Sequence, residues 1–287
     1  MNGARTRLLA VNSSFPRADS VLRFLEPSGT SANSLWERLF AGSYDKPFII
    51  DSGPWRSLHF DLEAVQSAMS LKAVDKLCLP YTRKMMAFLL FNPEPARILM
   101  LGLGGGSLAK FCYRHLPRTA LTAVELNADV IRLREEFNVP RDDLRFRVVC
   151  ADGARYVSRL KRRKDVILAD ACDRIGVAPE LNGLEFYQEA RRCLSPDGVL
   201  VINLCGDVEN CNAHLRQIHK VFEGRFVTLQ VMPHGNRIVL AFNWRRPEFD
   251  WEKIATGATA LQGRFELDFP KYVRRMTLDW KLGRRQY

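Results

Sequence analysis

No pair among the seven cysteines has CxxC spacing, and the count is odd. That argues against a zinc site and a disulfide framework, and for a reducing compartment in which most thiols act as small buried apolar groups. The five histidines show no ligand spacing either: His214 and His219 share a helical stretch but lie five residues apart, not four. No metal is therefore expected. No apolar run approaches the roughly 18 residues of a membrane span. The only apolar stretch near the N-terminus, Leu8 to Val11, is too short for a secretory core. A cytoplasmic protein with no membrane contact is the expectation. Zinc-finger spacing and an RNA-binding aromatic signature are both missing. The net charge of +11 permits weak binding to polyanions. Its basic clusters, at 159–164, 191–192, 274–275 and 281–285, nevertheless read as solvated faces and a basic tail, so nucleic acid is not an expected partner.

What is present divides into four stretches without internal repeat. Residues 1–44 form a head with one helical patch, Ser34 to Phe40. Residues 45–92 read as a small β unit and a helix. Phe48–Asp51 and Leu58–Asp61 are strands about the turn signal Ser52-Gly53-Pro54. The helix runs from about Leu79 to Leu90 and ends before Asn92-Pro93. Over residues 93–245 apolar strand runs alternate with helical patterns, which means βαβ units and a parallel sheet. The last two strands, Phe226–Met232 and Arg237–Trp244, are separated by only four residues. That is too short for a parallel crossover, so they form an antiparallel hairpin. Residues 246–287 are a helical cap and a basic tail. The fold class is α/β: a mostly parallel seven-stranded sheet closed by a hairpin and preceded by a small β unit, an arrangement that resembles the class I S-adenosylmethionine-type Rossmann fold.

The central signal is a strand running into glycines and then a helix, Ile98 to Ser107. GxGxxG is incomplete, because its third position is Ser107. The pattern that fits is GxGxG: Gly102, Gly104 and Gly106. Glycines there permit a tight turn and a close backbone approach by a ligand, at a helix N-terminus with free amides. The second strand ends at Glu125, near the spacing expected of an acid that accepts ribose hydroxyls. The third is followed by Asp152-Gly153. Asp152 can accept from an adenine amino group and also cap the next helix, and Gly153 lets a ring lie on the backbone. A donor carrying a sulfonium and no pyrophosphate needs such carboxylates more than it needs phosphate-binding amides. The fourth strand ends in Asp170-Ala171-Cys172-Asp173. Two carboxylates near the donor suit a cationic amine, and one can take its proton, since an ammonium cannot attack carbon. Cys172 has no His partner in sequence and reads as a loop residue.

Taken together, these residues resemble the spermidine/spermine synthase family, the polyamine aminopropyltransferases, from about Phe48 to Trp244. The resemblance implies that Gln66 contacts the donor and that Tyr81 is an active-site tyrosine. It implies that Gly102, Gly104, Gly106, Glu125, Asp152 and Gly153 bind the donor, and that Asp170 is the catalytic aspartate with Asp173 beside it. Pro179, Leu181, Phe186-Tyr187 and Gly198–Val201 match the following segment, and Pro233 a loop near the acceptor. It further implies decarboxylated S-adenosylmethionine as donor, an amine acceptor, and a homodimer through the N-terminal β unit. The sequence departs from the family pattern at Ser107, where an aspartate is expected, at Thr82-Arg83 in place of His-Glu, at Ala171-Cys172 in place of a Ser-Ser pair, and at Asn203 in place of a glutamine. The donor half is better kept than the acceptor half. Three alternatives stay open: a methyltransferase using S-adenosylmethionine itself, a non-catalytic nucleoside-binding protein and, as the outsider, a basic nucleic-acid binder that modifies RNA.

Overall fold

The structure, a computed structural model, describes residues 8–13, 15–170, 181–232, 235–244 and 249–283. The N-terminal unit is a five-stranded antiparallel sheet in sequential order: β1 (Leu9–Ser13), β2 (Ser20–Phe24), β3 (Phe48–Ser52), β4 (Trp55–His59) and β5 (Ser67–Ser70). Helix α1 (Ala32–Phe40) lies between β2 and β3 in sequence and closes a small core of Leu22, Phe24, Leu35, Tyr44, Phe48 and Ile50. The β3–β4 hairpin stands where the Ser52-Gly53-Pro54 signal puts it. β1 and β2 are missed by periodicity. β2 buries Leu22 and Phe24 on one face, but five residues are too few to separate that alternation from chance, and only pairing with β3 fixes it.

Next come α2 (Pro80–Met85), continued by a 3-10 turn over Met86–Leu90, and then the central sheet. Its elements are β6 (Arg97–Leu101), α3 (Ser107–His115), β7 (Ala120–Glu125), α4 (Ala128–Arg132), β8 (Phe146–Cys150), α5 (Gly153–Ser158), β9 (Lys164–Ala169), α6 (Leu184–Cys193), β10 (Leu194–Leu204), α7 (Val208–Phe222), β11 (Phe226–Gln230) and β12 (Arg237–Phe242). The strand order is β11-β12-β10-β9-β6-β7-β8. β11 and β12 pair antiparallel, and the five strands from β10 to β8 are parallel.

The middle strands read as continuous apolar runs because both faces are covered. Ile98, Met100, Val166, Leu168, Val199 and Val201 enter the core on one side. Leu99, Leu101, Ile167, Ala169, Leu200 and Ile202 enter the core on the other. Helices α8 (Trp251–Phe265) and α9 (Phe269–Gly283) pack as a pair, and α9 also lies along the edge strand β11, where Asp279 accepts from the Thr228 amide at 3.0 Å. Arg56 joins the two sheets: it forks onto Asp51 and reaches the carbonyl of Glu136 at 2.7 Å and its carboxylate at 3.0 Å. No helix among the described residues is long and apolar enough to cross a membrane.

Candidate active site

β6 pairs with β7 on one side and β9 on the other, so the connection out of the sheet reverses direction between them. Ligands bind beyond the C-terminal strand ends at such a reversal. Hydrogen bonds hold the four strand ends in one row. The Asp170 amide donates to the Leu101 carbonyl, that of Gly102 to Val124, and that of Ala151 to Glu125, at 2.8–3.0 Å. Across the sheet the order is therefore Asp170, the glycine turn, Glu125, Asp152.

Gly102, Gly104 and Gly106 all adopt left-handed φ values, 93°, 51° and 67°. Gly106 is the N-cap of α3, and a Cβ there would fall 2.4 Å from Val139 Cγ2. Gly105 falls outside the GxGxG pattern yet is equally confined: a Cβ would meet Ser67 Oγ at 2.7 Å and Phe137 at 2.9 Å. That constraint comes from β5 crossing the turn, which local sequence does not reveal.

The turn folds around the Glu125 carboxylate. Its Oε2 accepts from the amides of Leu103 at 2.9 Å and Gly104 at 3.4 Å, and its Oε1 from that of Asn127 at 2.9 Å. A carboxylate has about four acceptor positions, so capacity remains for a diol. Asp152 caps α5, with Oδ1 accepting from the Arg155 amide at 2.8 Å. The cap and a ligand contact are compatible, because Oδ2 has no partner among the described residues.

Asp170 sits at the other end of the row. The Nδ2 of Asn203 donates to its Oδ1 at 3.0 Å, and Tyr81 hydrogen-bonds to the same carboxyl. Burial raises its pKa to about 6, against the opposing pull of those two donors. Tyr81 is pushed well above the usual phenol range by burial and by Asp170. Its hydroxyl also lies 3.5 Å from the Gln66 carbonyl. Asn203 in turn accepts at Oδ1 from Asn236 Nδ2 at 3.0 Å. Sequence reading noted Asn203 only as a departure and passed over Asn236. The signal for both is topological: β10 and the hairpin strand β12 are neighbours, and Asn203 precedes the end of one as Asn236 precedes the start of the other.

These groups enclose a cavity of about 410 Å³. Gln66, Tyr81, Gly102, Gly104, Glu125, Asp152, Gly153 and Asp170 all line it. Gly106 does not; it shapes the turn from beneath. Asp173, Cys172, Pro179 and Pro233 lie outside the described residues. Ser107 lines the cavity and pairs with Ser67, Oγ to Oγ 3.2 Å, where a carboxylate was expected. Arg83 faces elsewhere, with its guanidinium on the Cys78 carbonyl at 2.8 Å, so it does not oppose a cationic acceptor. Cys205 also lines the cavity and is disulfide-bonded, contrary to the expectation of reduced thiols; Cys78, Cys112, Cys150, Cys193 and Cys211 are free. The described lining contains three carboxylates, Glu125, Asp152 and Asp170, and no Lys, Arg or His. In a chain of net charge +11, that is a local field suited to a cation.

Residues 79–233 match the family model of the spermine/spermidine synthase domain. The chain is 38% identical over 229 residues to a polyamine aminopropyltransferase of Chromobacterium violaceum, covering 79% of this chain and 88% of the relative. It is 36% identical over 227 residues to one from Neisseria meningitidis, covering 78% and 86%. Among solved structures, a spermidine synthase in complex with the transition-state analogue AdoDATO superposes with a TM-score of 0.64 at 22% identity, covering 84% of this chain and 85% of that one. Human methyltransferase-like protein 13 in complex with SAH superposes with a TM-score of 0.60 at 24% identity, covering 66% and 93%. These two likenesses bear on the fold, which is the class I methyltransferase-like Rossmann fold.

Proposed function

Since the chain belongs to the spermine/spermidine synthase family and is an aminopropyl transferase of polyamine biosynthesis, we propose that its donor is decarboxylated S-adenosylmethionine and its acceptor a di- or polyamine. The observation that carries this reading is the row of three carboxylates in a pocket whose described lining holds no cation. Glu125 meets the ribose hydroxyls, Asp152 the adenine amino group, and Gln66 the far end of the donor. Asp170 meets the acceptor nitrogen.

The reaction is a displacement at the methylene carbon bonded to sulfonium sulfur. The amine nitrogen forms the new C–N bond, the C–S bond breaks, and its electron pair neutralises the sulfur to give methylthioadenosine. The attacking nitrogen must first lose a proton. Asp170, raised toward 6 by burial, accepts that proton more readily than a free aspartate would. The positive sulfur nearby favours its loss from the ammonium. Tyr81 and Asn203 fix the carboxylate so that its remaining lone pairs face the acceptor, which is catalysis by positioning and proton removal.

Incubation with decarboxylated S-adenosylmethionine and a panel of diamines and polyamines tests the reading. Release of methylthioadenosine with at least one amine is expected, and none with any amine would sink it. Ser107 favours one rival, a methyltransferase that uses S-adenosylmethionine, because no carboxylate stands there to repel that donor's own carboxylate. Calorimetry with both donors separates the two. Tighter binding of the carboxylated donor would move the assignment to methyl transfer.

The N-terminal sheet is the element we assign to homodimer formation. Its helix α1 presents a stacked Trp36–Phe40 pair, centroids 5.6 Å apart, with Phe40 76% exposed. Light scattering is expected to give twice the chain mass, and Phe40→Asp is expected to lower it; a monomeric wild-type chain would refute the assignment. A cytoplasmic site of action fits the five free cysteines, and the disulfide at Cys205 runs against it.

A further inference from the structure

A second and larger cavity, about 1160 Å³, lies on the far side of α2 from the active site. α2 forms one wall, the edge strand β11 another, and α9 the third. Tyr81 and Arg83 stand two residues apart on α2 and line different cavities. The electrostatics of the two are opposite. Six cations border the second cavity, Arg83, Lys84, Arg225, Arg237, Lys271 and Arg275, against three carboxylates, Glu223, Asp268 and Asp279.

Each of these carboxylates already has a partner. Glu223 is paired with Arg191 and Arg225, each at 2.8 Å. Asp279 accepts from the Thr228 amide. Asp268 caps the start of α9 through the Lys271 amide at 3.2 Å. Arg83, Lys84, Lys271 and Arg275 therefore have no carboxylate partner among the described residues. Lys84 is tethered with its ammonium on the Gln230 carbonyl at 2.7 Å. Its pKa is lowered by burial first, and then by Lys271, Arg275 and Arg83. Four cations from two helices thus line one volume, with Arg83 held by the Cys78 carbonyl and Lys84 by that of Gln230. Such a cluster is stabilised by a multiply charged anion, and arginine forks suit phosphate oxygens in particular.

We propose that the cavity between α2, β11 and α9 is a binding site for a compact oligophosphate, such as the phosphate chain of a nucleotide, held by Arg83, Lys84, Lys271 and Arg275. A compact ligand fits better than a passing nucleic-acid strand. The site is walled on three sides by α2, β11 and α9, which admits a compact ligand and not the length of an extended strand.

The test is calorimetric titration of the full chain with sodium tripolyphosphate and with ATP. One-site binding that weakens with added salt is expected. Lys271→Ala with Arg275→Ala, both on exposed positions of α9, is expected to weaken it at least about tenfold, the scale of charge-assisted hydrogen bonds. The control is Arg159→Ala with Lys161→Ala, which removes the same charge from another basic surface and is expected to leave binding unchanged. Donor titration in both double variants reports that the fold is intact. Absence of binding, equal loss in both double variants, or retardation of RNA by Lys271 and Arg275 without tripolyphosphate binding would each overturn the proposal.

Discussion

Asp170→Asn is expected to lower kcat by about 10²- to 10⁴-fold, the usual worth of a positioned proton acceptor, while donor affinity stays within about twofold of wild type. The substitution is close to isosteric. Asn203 can still donate to the new amide oxygen, so the row of strand ends keeps its geometry. The wild-type pH profile gives an independent reading of the same group. With the carboxyl pKa at about 6, kcat/KM of the free enzyme is expected to rise with pH through that value and to level off above it, because only the ionised form accepts a proton. In Asp170→Asn this step disappears. Stability moves the other way. A folded-state pKa raised above the unfolded value means that the folded protein binds more protons between about 4 and 6, so stability falls as pH rises across that window. Asp170→Asn is therefore expected to melt at or above the wild-type temperature at pH 8. A variant that keeps wild-type kcat would remove Asp170 from the chemistry. A melting point well below wild type at pH 8 would mean that the carboxylate supports the fold instead.

Glu125→Ala is expected to weaken donor binding by about 1–3 kcal/mol, or roughly fivefold to 150-fold. Two effects add. The variant loses the acceptor for a ribose diol. It also strips three backbone amides, those of Leu103, Gly104 and Asn127, of their partner, which loosens the glycine turn that must receive the nucleoside. Glu125→Gln is not a silent replacement, because its amide group would turn a donor toward one of those backbone donors. Titration with methylthioadenosine separates the sugar from the donor's tail. A similar loss for methylthioadenosine and for the full donor places Glu125 at the nucleoside, and an unchanged titration with both would undo the ribose assignment.

Asp170 and Glu125 also mark how far the sequence could be read. Each lies at the end of an apolar run with a following turn, so its position at a strand end is legible from period and punctuation. The same holds for the glycine turn and for the hairpin, whose four-residue connection admits no parallel crossover. The fold class follows from these alone. Other features were not legible because they depend on distant neighbours. Gly105 is confined by Ser67, some forty residues away in sequence. Asn203 and Asn236 become functional candidates only because β12 pairs against β10. Strands β1 and β2 are too short to show a period, and the sheet edge at β3 defines them.

The sequence by itself determined the class of fold and the carboxylates at its strand ends, because those rest on local pattern and residue chemistry. Only the tertiary structure decided their order in space. β9 inserts beside β6, not beyond β8, and that brings Asp170 to the glycine turn and sets Asp152 at the far end. It also decided which way α2 turns its side chains, sending Tyr81 to the acidic cavity and Arg83 to the basic one. A helix of six residues has no readable face until it is packed between two cavities of opposite charge.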